Sequence, residues 1–398
     1  MSKNGSRPGG RSTPDTRTHT NMHKTNILHQ TCVDFGEAME SERYERVIAA
    51  INRRIPDKVP WGLWGHFPSL PFLRYYSWEK ANRDGEELAK AHVALLNELD
   101  YKMDLLKVTS FFKFMSCHWG SKYRFINNEE IPEVVEVAVK KTEEWKKLWV
   151  LDPEKELKEH VRVVSILSRE IGRRMPFIFT LPSPIVVAVN QVSTPDRTYA
   201  DMKSNPEELK KGLEIISQTC IDYGRACLDE GATGFFYSVG GLGNIWSRMN
   251  RDQLEEYGLH YDSKILNALK EAPIRLLHIC SRLSQEDPQR SGGLMESGWF
   301  KHYPVNAINW WDANFTPLSV AKKTYGDRFC IVGGIDHHGA IRTGTPEQVE
   351  DQVRSAIESA GGGGGFMIGP GCTLFQDTPL ENFNAVGRAV EKYGKYRQ

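Results

Sequence analysis

Eight short apolar stretches recur along this 398-residue chain, at 59–67, 102–108, 175–184, 232–239, 274–280, 305–312, 328–336 and 365–371, with helix-patterned segments between them. This alternation is the feature that most limits what the chain can fold into. Most of the stretches are apolar on both faces, as in "MPFIFTLP" and "RFCIVGGI". Strands of that kind belong to a parallel sheet covered on both sides. The helical segments carry their own signals. At 40–54, Val47, Ile48, Ala50 and Ile51 fall near helical spacing, and Leu88, Ala91, Leu95 and Leu99 share one face of a second segment. Segments 131–148 and 154–172 read as helical, and another begins at Pro206 and stops at Gly231. Thr345-Pro346-Glu347-Gln348 sets a capping hydroxyl, a first-turn proline and an N3 glutamine in order before a helix to about Ala360. Eight such units with no dividing linker after residue 38 predict a single α/β domain, 38–398: a (β/α)8 TIM-type barrel with an N-terminal helical extension. The runner-up, a doubly wound open sheet, calls for a Gly-rich phosphate loop after the first strand. The chain offers only "GGLGNIW" at 240–246, which does not fit G-x-G-x-x-G.

Residues 1–37 read as a disordered polar tail. The first 33 hold five basic residues and one acid, with almost no large apolar side chains, so little burial could offset their ordering entropy. They lack the apolar run of a secretory signal, and no run of about 18 apolar residues occurs anywhere. Lys plus Arg equals Asp plus Glu, 51 each, so the global charge points to neither nucleic acid nor membrane. Seven irregularly spaced cysteines are unlike a disulfide scaffold; a cytoplasmic location, with any clustered thiols serving metal or catalysis, is the expectation.

In a barrel of this type the chemistry gathers at the C-terminal ends of the strands. Those ends carry Trp64 and His66, Tyr237, His278 and Cys280, Trp310, Trp311 and Asp312, Asp336 to His338, and Cys372. His278 and Cys280 are two apart on a strand and therefore share a face, which must be the barrel interior. Joined by Cys372, they offer three ligands for zinc with a fourth position open, the pattern of a catalytic site. On residue types alone, a hydrogen-bonded core histidine and two inert thiols fit equally well. His66, Tyr237, Asp312 and Asp336 are candidates for acid/base or substrate contacts, and Trp64, Trp310 and Trp311 for an apolar cofactor wall, against plain packing for each. His337 and His338 read as solvated loop residues, and Glu296 reads first as an exposed carboxylate, though one that could approach the open position.

The C-terminal "GGIDHHGAIRTGTPEQVEDQV…GGFMIGPGCTLFQDTPLENFNAVGRAVEKYG", with "HIC", "GATGFFYS" and "NWWD", resembles the uroporphyrinogen decarboxylase superfamily, over roughly residues 40–396. That resemblance implies a (β/α)8 barrel. True decarboxylases of the family carry an arginine-rich motif after the first strand that holds substrate carboxylates. Here the stretch is "WGLWGHFPSL", with no arginine before Arg74. The family's zinc-dependent, cobalamin-linked methyltransferases carry H-x-C and a distant C, which His278, Cys280 and Cys372 match. One departure is that "HICS" runs into "RLSQEDPQRSGG" rather than a Gly-Asn turn. The resemblance therefore implies a zinc-dependent methyltransferase. It would move a methyl group between a small methylated substrate or thiol and methylcobalamin or a Co(I) corrinoid. Asp336-His337-His338-Gly339-Ala340-Ile341 begins like the corrinoid motif D-x-H-x-x-G but ends in isoleucine, so the corrinoid would arrive on a separate protein. The family commonly forms dimers, which leaves a homodimer open. A cofactor-free decarboxylase and a non-catalytic, partner-binding barrel are the alternative readings.

Overall fold

Strands that are apolar on both faces need cover on both sides, and the chain supplies it by winding. A computed structural model describes residues 42–65, 77–99, 102–108, 112–126, 132–171, 174–240, 248–280, 295 and 298–396. Its strands, in chain order, are β1 (Leu106–Val108), β2 (Lys122–Arg124), β3 (Glu133–Glu136), β4 (Phe177–Pro182), β5 (Gly234–Gly240), β6 (Ile274–Cys280), β7 (Ala307–Asn309), β8 (Cys330–Ile335) and β9 (Phe366–Pro370). Seven of them form one parallel sheet in the order β1-β4-β5-β6-β7-β8-β9. The sheet curls, and the remaining apolar stretch, 59–67, joins its two edges. Gly62 N–H donates to Ile368 O (3.0 Å) on β9, while Asp104 N–H, just before β1, donates to Trp61 O (2.9 Å). The result is a distorted TIM-type barrel. Its first stretch makes only isolated bridges, at Trp61 and Gly65, rather than the full strand expected at 59–67.

Alternation sorts the side chains into two layers. Trp64, Leu105, Ile178, Phe236, Ile274, Leu276, Ala307, Cys330, Val332 and Met367 form one interior cluster, and Val47, Ala50 and Ile51 of the helix at 42–51 join it. Leu277, Ile279, Ile308, Ile331 and Ile368 face outward into the larger cluster shared with the helices. Gly369 has no side chain because Trp64 occupies that space; an added Cβ would lie 2.7 Å from its ring.

The seam is pinned by a buried ion network. Arg46 Nη1 donates to Asp104 Oδ1 (2.6 Å), and its Nε and Nη2 grip both oxygens of Asp57 (2.7 and 2.6 Å). Asp104 Oδ2 accepts the Trp61 N–H (3.1 Å), so one carboxylate ties the helix at 42–51 to both sides of the seam.

The Thr345 cap forms as expected: Thr345 Oγ1 accepts Gln348 N–H while Gln348 Oε1 accepts Thr345 N–H, opening the helix Pro346–Ala360. Residues 132–148 do not form the helix expected over 131–148. They hold β3, paired antiparallel with β2, then a 3-10 helix, Thr142–Lys147. Their glutamates find cross-strand partners, Arg124–Glu133 (2.5 Å) and Lys122–Glu136 (2.6 Å), which a lone helix would not supply. The stretches 102–108 and 305–312 contribute only three strand residues each. Among the described residues, no helix is long and apolar enough to cross a membrane. The predicted tail lies outside the described residues.

Candidate metal centre

On β6, Ile274 and Leu276 face the interior cluster, and the same parity carries His278 and Cys280 inward above them. The His278 ring stacks on Phe236, 4.7 Å between centroids. Register places His278 beside Asn309 of β7, and His278 Nδ1 lies 2.6 Å from Asn309 Oδ1. The amide has little choice of orientation. Its Nδ2 donates to Val332 O (2.9 Å) and Pro370 O (3.1 Å), which can only accept. Oδ1 must therefore accept from the imidazole, Nδ1 carries the proton, and the Nε2 lone pair is left for a ligand.

That lone pair faces Cys372 Sγ at 3.7 Å. Cys372 is held from both sides by backbone: Gly371 N–H donates to Ile335 O and Leu374 N–H to Trp64 O, each at 2.9 Å. Gly371 lets the chain pass close over Trp311, whose Cα would sit 2.9 Å from an added Cβ. Ligand atoms of His278, Cys280 and Cys372 all lie within 4.8 Å of one another, with His278 buried and both cysteines partly buried. Tetrahedral zinc, with bonds of about 2.3 Å to sulfur and about 2.0 Å to nitrogen, needs donors roughly 3.5–3.8 Å apart, so this set fits the ion with little adjustment. The Cys280 thiol, hydrogen-bonded to the Cys372 sulfur, holds the Cys372 thiol well below its ordinary range; burial opposes this and His278 reinforces it. A thiol of that kind is ready to act as a metal-binding thiolate.

The family model described as uroporphyrinogen decarboxylase (URO-D) matches residues 42–393. The chain belongs to the uroporphyrinogen decarboxylase family. Within that family its likeness to methyltransferases is the more complete. It is 22% identical over 367 residues to the methylcobamide:CoM methyltransferase MtbA of Methanosarcina acetivorans, covering 88% of this chain and 97% of that one. It is 26% identical to the uroporphyrinogen decarboxylase of Mannheimia succiniciproducens, but over 258 residues, 61% of this chain and 66% of that one. Among solved structures, a methyltransferase from Methanosarcina mazei superimposes with a TM-score of 0.69 at 16% identity, covering 88% of this chain and 98% of that chain.

In this uroporphyrinogen decarboxylase family member, the other expected site residues scatter. Trp311 and Asp336 meet at the mouth, where Trp311 Nε1 donates to Asp336 Oδ1 (2.9 Å) and its ring contacts His337 and His338, both at 4.8 Å. His337 is buried rather than solvated, and burial pulls its imidazole down to about 4; His338 is exposed as expected. Trp64 is a plug in the barrel interior. Trp310 does not reach the mouth: it is fully buried in the outer layer, its Nε1 bonded to Thr316 O (2.9 Å). Tyr237 is also turned outward, because Tyr237 is in register with outward-facing Leu277. Its hydroxyl donates to Asp262 Oδ1 (2.6 Å), a carboxylate that Tyr303 also reaches (2.9 Å) and that burial pushes up to about 6. The Asp312 carboxylate accepts Gly334 N–H (3.1 Å) and sits beside Leu318 of the outer layer; burial pushes it up to about 6. His66 and Glu296 lie outside the described residues.

Two further residues, Asn309 and Lys107, stand at the centre. Asn309 was legible only through its pairing with His278. Lys107 could be found by parity, since its neighbours Leu106 and Val108 face outward. It is 4% exposed, with Nζ 5.0 Å from the Phe236 ring centroid. Burial pulls its ammonium down to about 8, against the opposing field of Cys372 and Cys280. Replacing Asn309 with leucine should lower zinc affinity about 10- to 100-fold, the usual range for removing the partner of a ligating imidazole. Competition with a chromophoric chelator measures it; an unchanged affinity would show that the amide does not set the ligand.

Proposed function

We propose that this protein is a zinc-dependent methyltransferase, moving a methyl group between a corrinoid carried by a separate protein and a small thiol or methylated substrate. The observation that carries the reading is the convergence of one imidazole and two thiols at the barrel mouth, within 4.8 Å. The methylcobamide:CoM methyltransferases, matched over nearly their full length, support the reaction class. A zinc ion held there supplies Lewis acidity, lowering the pKa of a thiol that joins it or improving a methylated oxygen or nitrogen as a leaving group. The remaining work belongs to the chain. Asn309 holds the His278 tautomer, Phe236 holds the ring plane, and Trp311 with His337 forms an aromatic wall beside Cys372. The site residues Asp336 and His66 are proposed as substrate contacts.

The test follows methyl transfer from methylcobalamin to small thiols by the change in corrinoid absorbance, before and after removal of metal. Transfer that disappears with a chelator and returns with zinc supports the reading. Decarboxylation of a porphyrinogen that persists in metal-free protein would instead favour the carboxy-lyase alternative.

A further inference from the structure

A lysine buried inside a barrel requires a reason. Lys107 lies on β1, which is buried along its whole length, and its side chain points inward beneath the metal centre. Among the described residues no carboxylate pairs with it. Among the described residues, the groups that interact with it are the Phe236 ring, which stacks in turn on His278, and the two thiols of Cys280 and Cys372 within electrostatic reach. A cation–π contact offsets only part of the cost of taking an ammonium out of water. The remainder calls for negative charge in the barrel.

The charges at the centre identify where that charge would be. Two thiolates cancel a divalent ion, and His278 is neutral, so the occupied centre carries no net charge. A neutral fourth ligand would leave Lys107 uncompensated. An anionic one, such as a thiolate, gives the centre one negative charge and the lysine a partner. We infer that Lys107 is the counter-cation that lets the His278–Cys280–Cys372 centre take an anionic sulfur as its fourth ligand in preference to a neutral one. This rests on the metal reading above and adds the class of ligand selected. When a thiol binds, its S–H bond breaks, the sulfur keeps the electron pair, and the proton leaves to solvent; no oxidant or reductant is involved.

The experiment uses Co(II)-loaded full-length protein, titrated separately with azide, 2-mercaptoethanol and imidazole while the cobalt absorption bands are followed. Lys107→Met keeps the volume and removes the charge; Lys107→Gln is a second variant that retains polarity. Both should bind azide and 2-mercaptoethanol roughly 10- to 100-fold more weakly than wild type, the scale of a nearby unit charge in a partly screened interior. Imidazole affinity should not change. Equal anion affinities in wild type and both variants would overturn the inference, and so would a uniform loss across all three ligands, which is the mark of a structural role. A wild-type protein that shows no sulfur-to-cobalt band at all would instead remove the metal centre itself, and with it the ground for this inference.

Discussion

Cys372→Ser should leave a folded barrel that no longer retains stoichiometric zinc. Structural zinc sites are worth about 10–16 kcal/mol over four ligands, so losing one thiolate should weaken binding by roughly 100-fold or more. Serine keeps the backbone bonds that hold this position, Gly371 N–H to Ile335 O and Leu374 N–H to Trp64 O, so the fold has little reason to respond. Methyl transfer should fall with the metal. Zinc content and a competition titration, compared with wild type, measure the effect. The comparison matters because His19, His23 and His29 are present in both proteins and could each scavenge metal. Full zinc retention by the variant would remove Cys372 from the centre.

Arg46→Ala should be strongly destabilising. It strips the partner from Asp104, which is 1% exposed, and so leaves a carboxylate buried without its cation. Breaking a buried pair from one side costs about 3–5 kcal/mol. Asp104 also accepts the Trp61 N–H, so the damage falls on the sparsely bonded seam. Asp57→Asn, at the exposed end of the same network, should cost under about 1 kcal/mol. Urea denaturation of the two variants separates these values; equal, small losses would mean that the network does not hold the seam.

The features legible in the sequence were those set by local chemistry. The Thr345 cap depends on four consecutive residues, and the shared face of His278 and Cys280 follows from the strand repeat. The parity that turns Leu277 outward also turns its register partner Tyr237 outward, and Ile308 does the same for Trp310. Position at a strand end does not fix the direction of a side chain, which parity does. Asn309 was hidden for another reason: its role depends on Val332 and Pro370, far away in the chain and adjacent only once the sheet has curled. Residues 133–136 are ambiguous in the sequence because "EVVE" fits a helix or a strand until a partner strand is known.

One carboxamide, that of Asn309, reaches β6, β8 and β9 at once. The donor geometry is therefore written largely into the sheet itself. Descendants of such a chain could exchange residues elsewhere, and with them their preference among substrates, while inheriting the same grip on the ion. His278 and Asn309 are the pair that such drift could not alter separately.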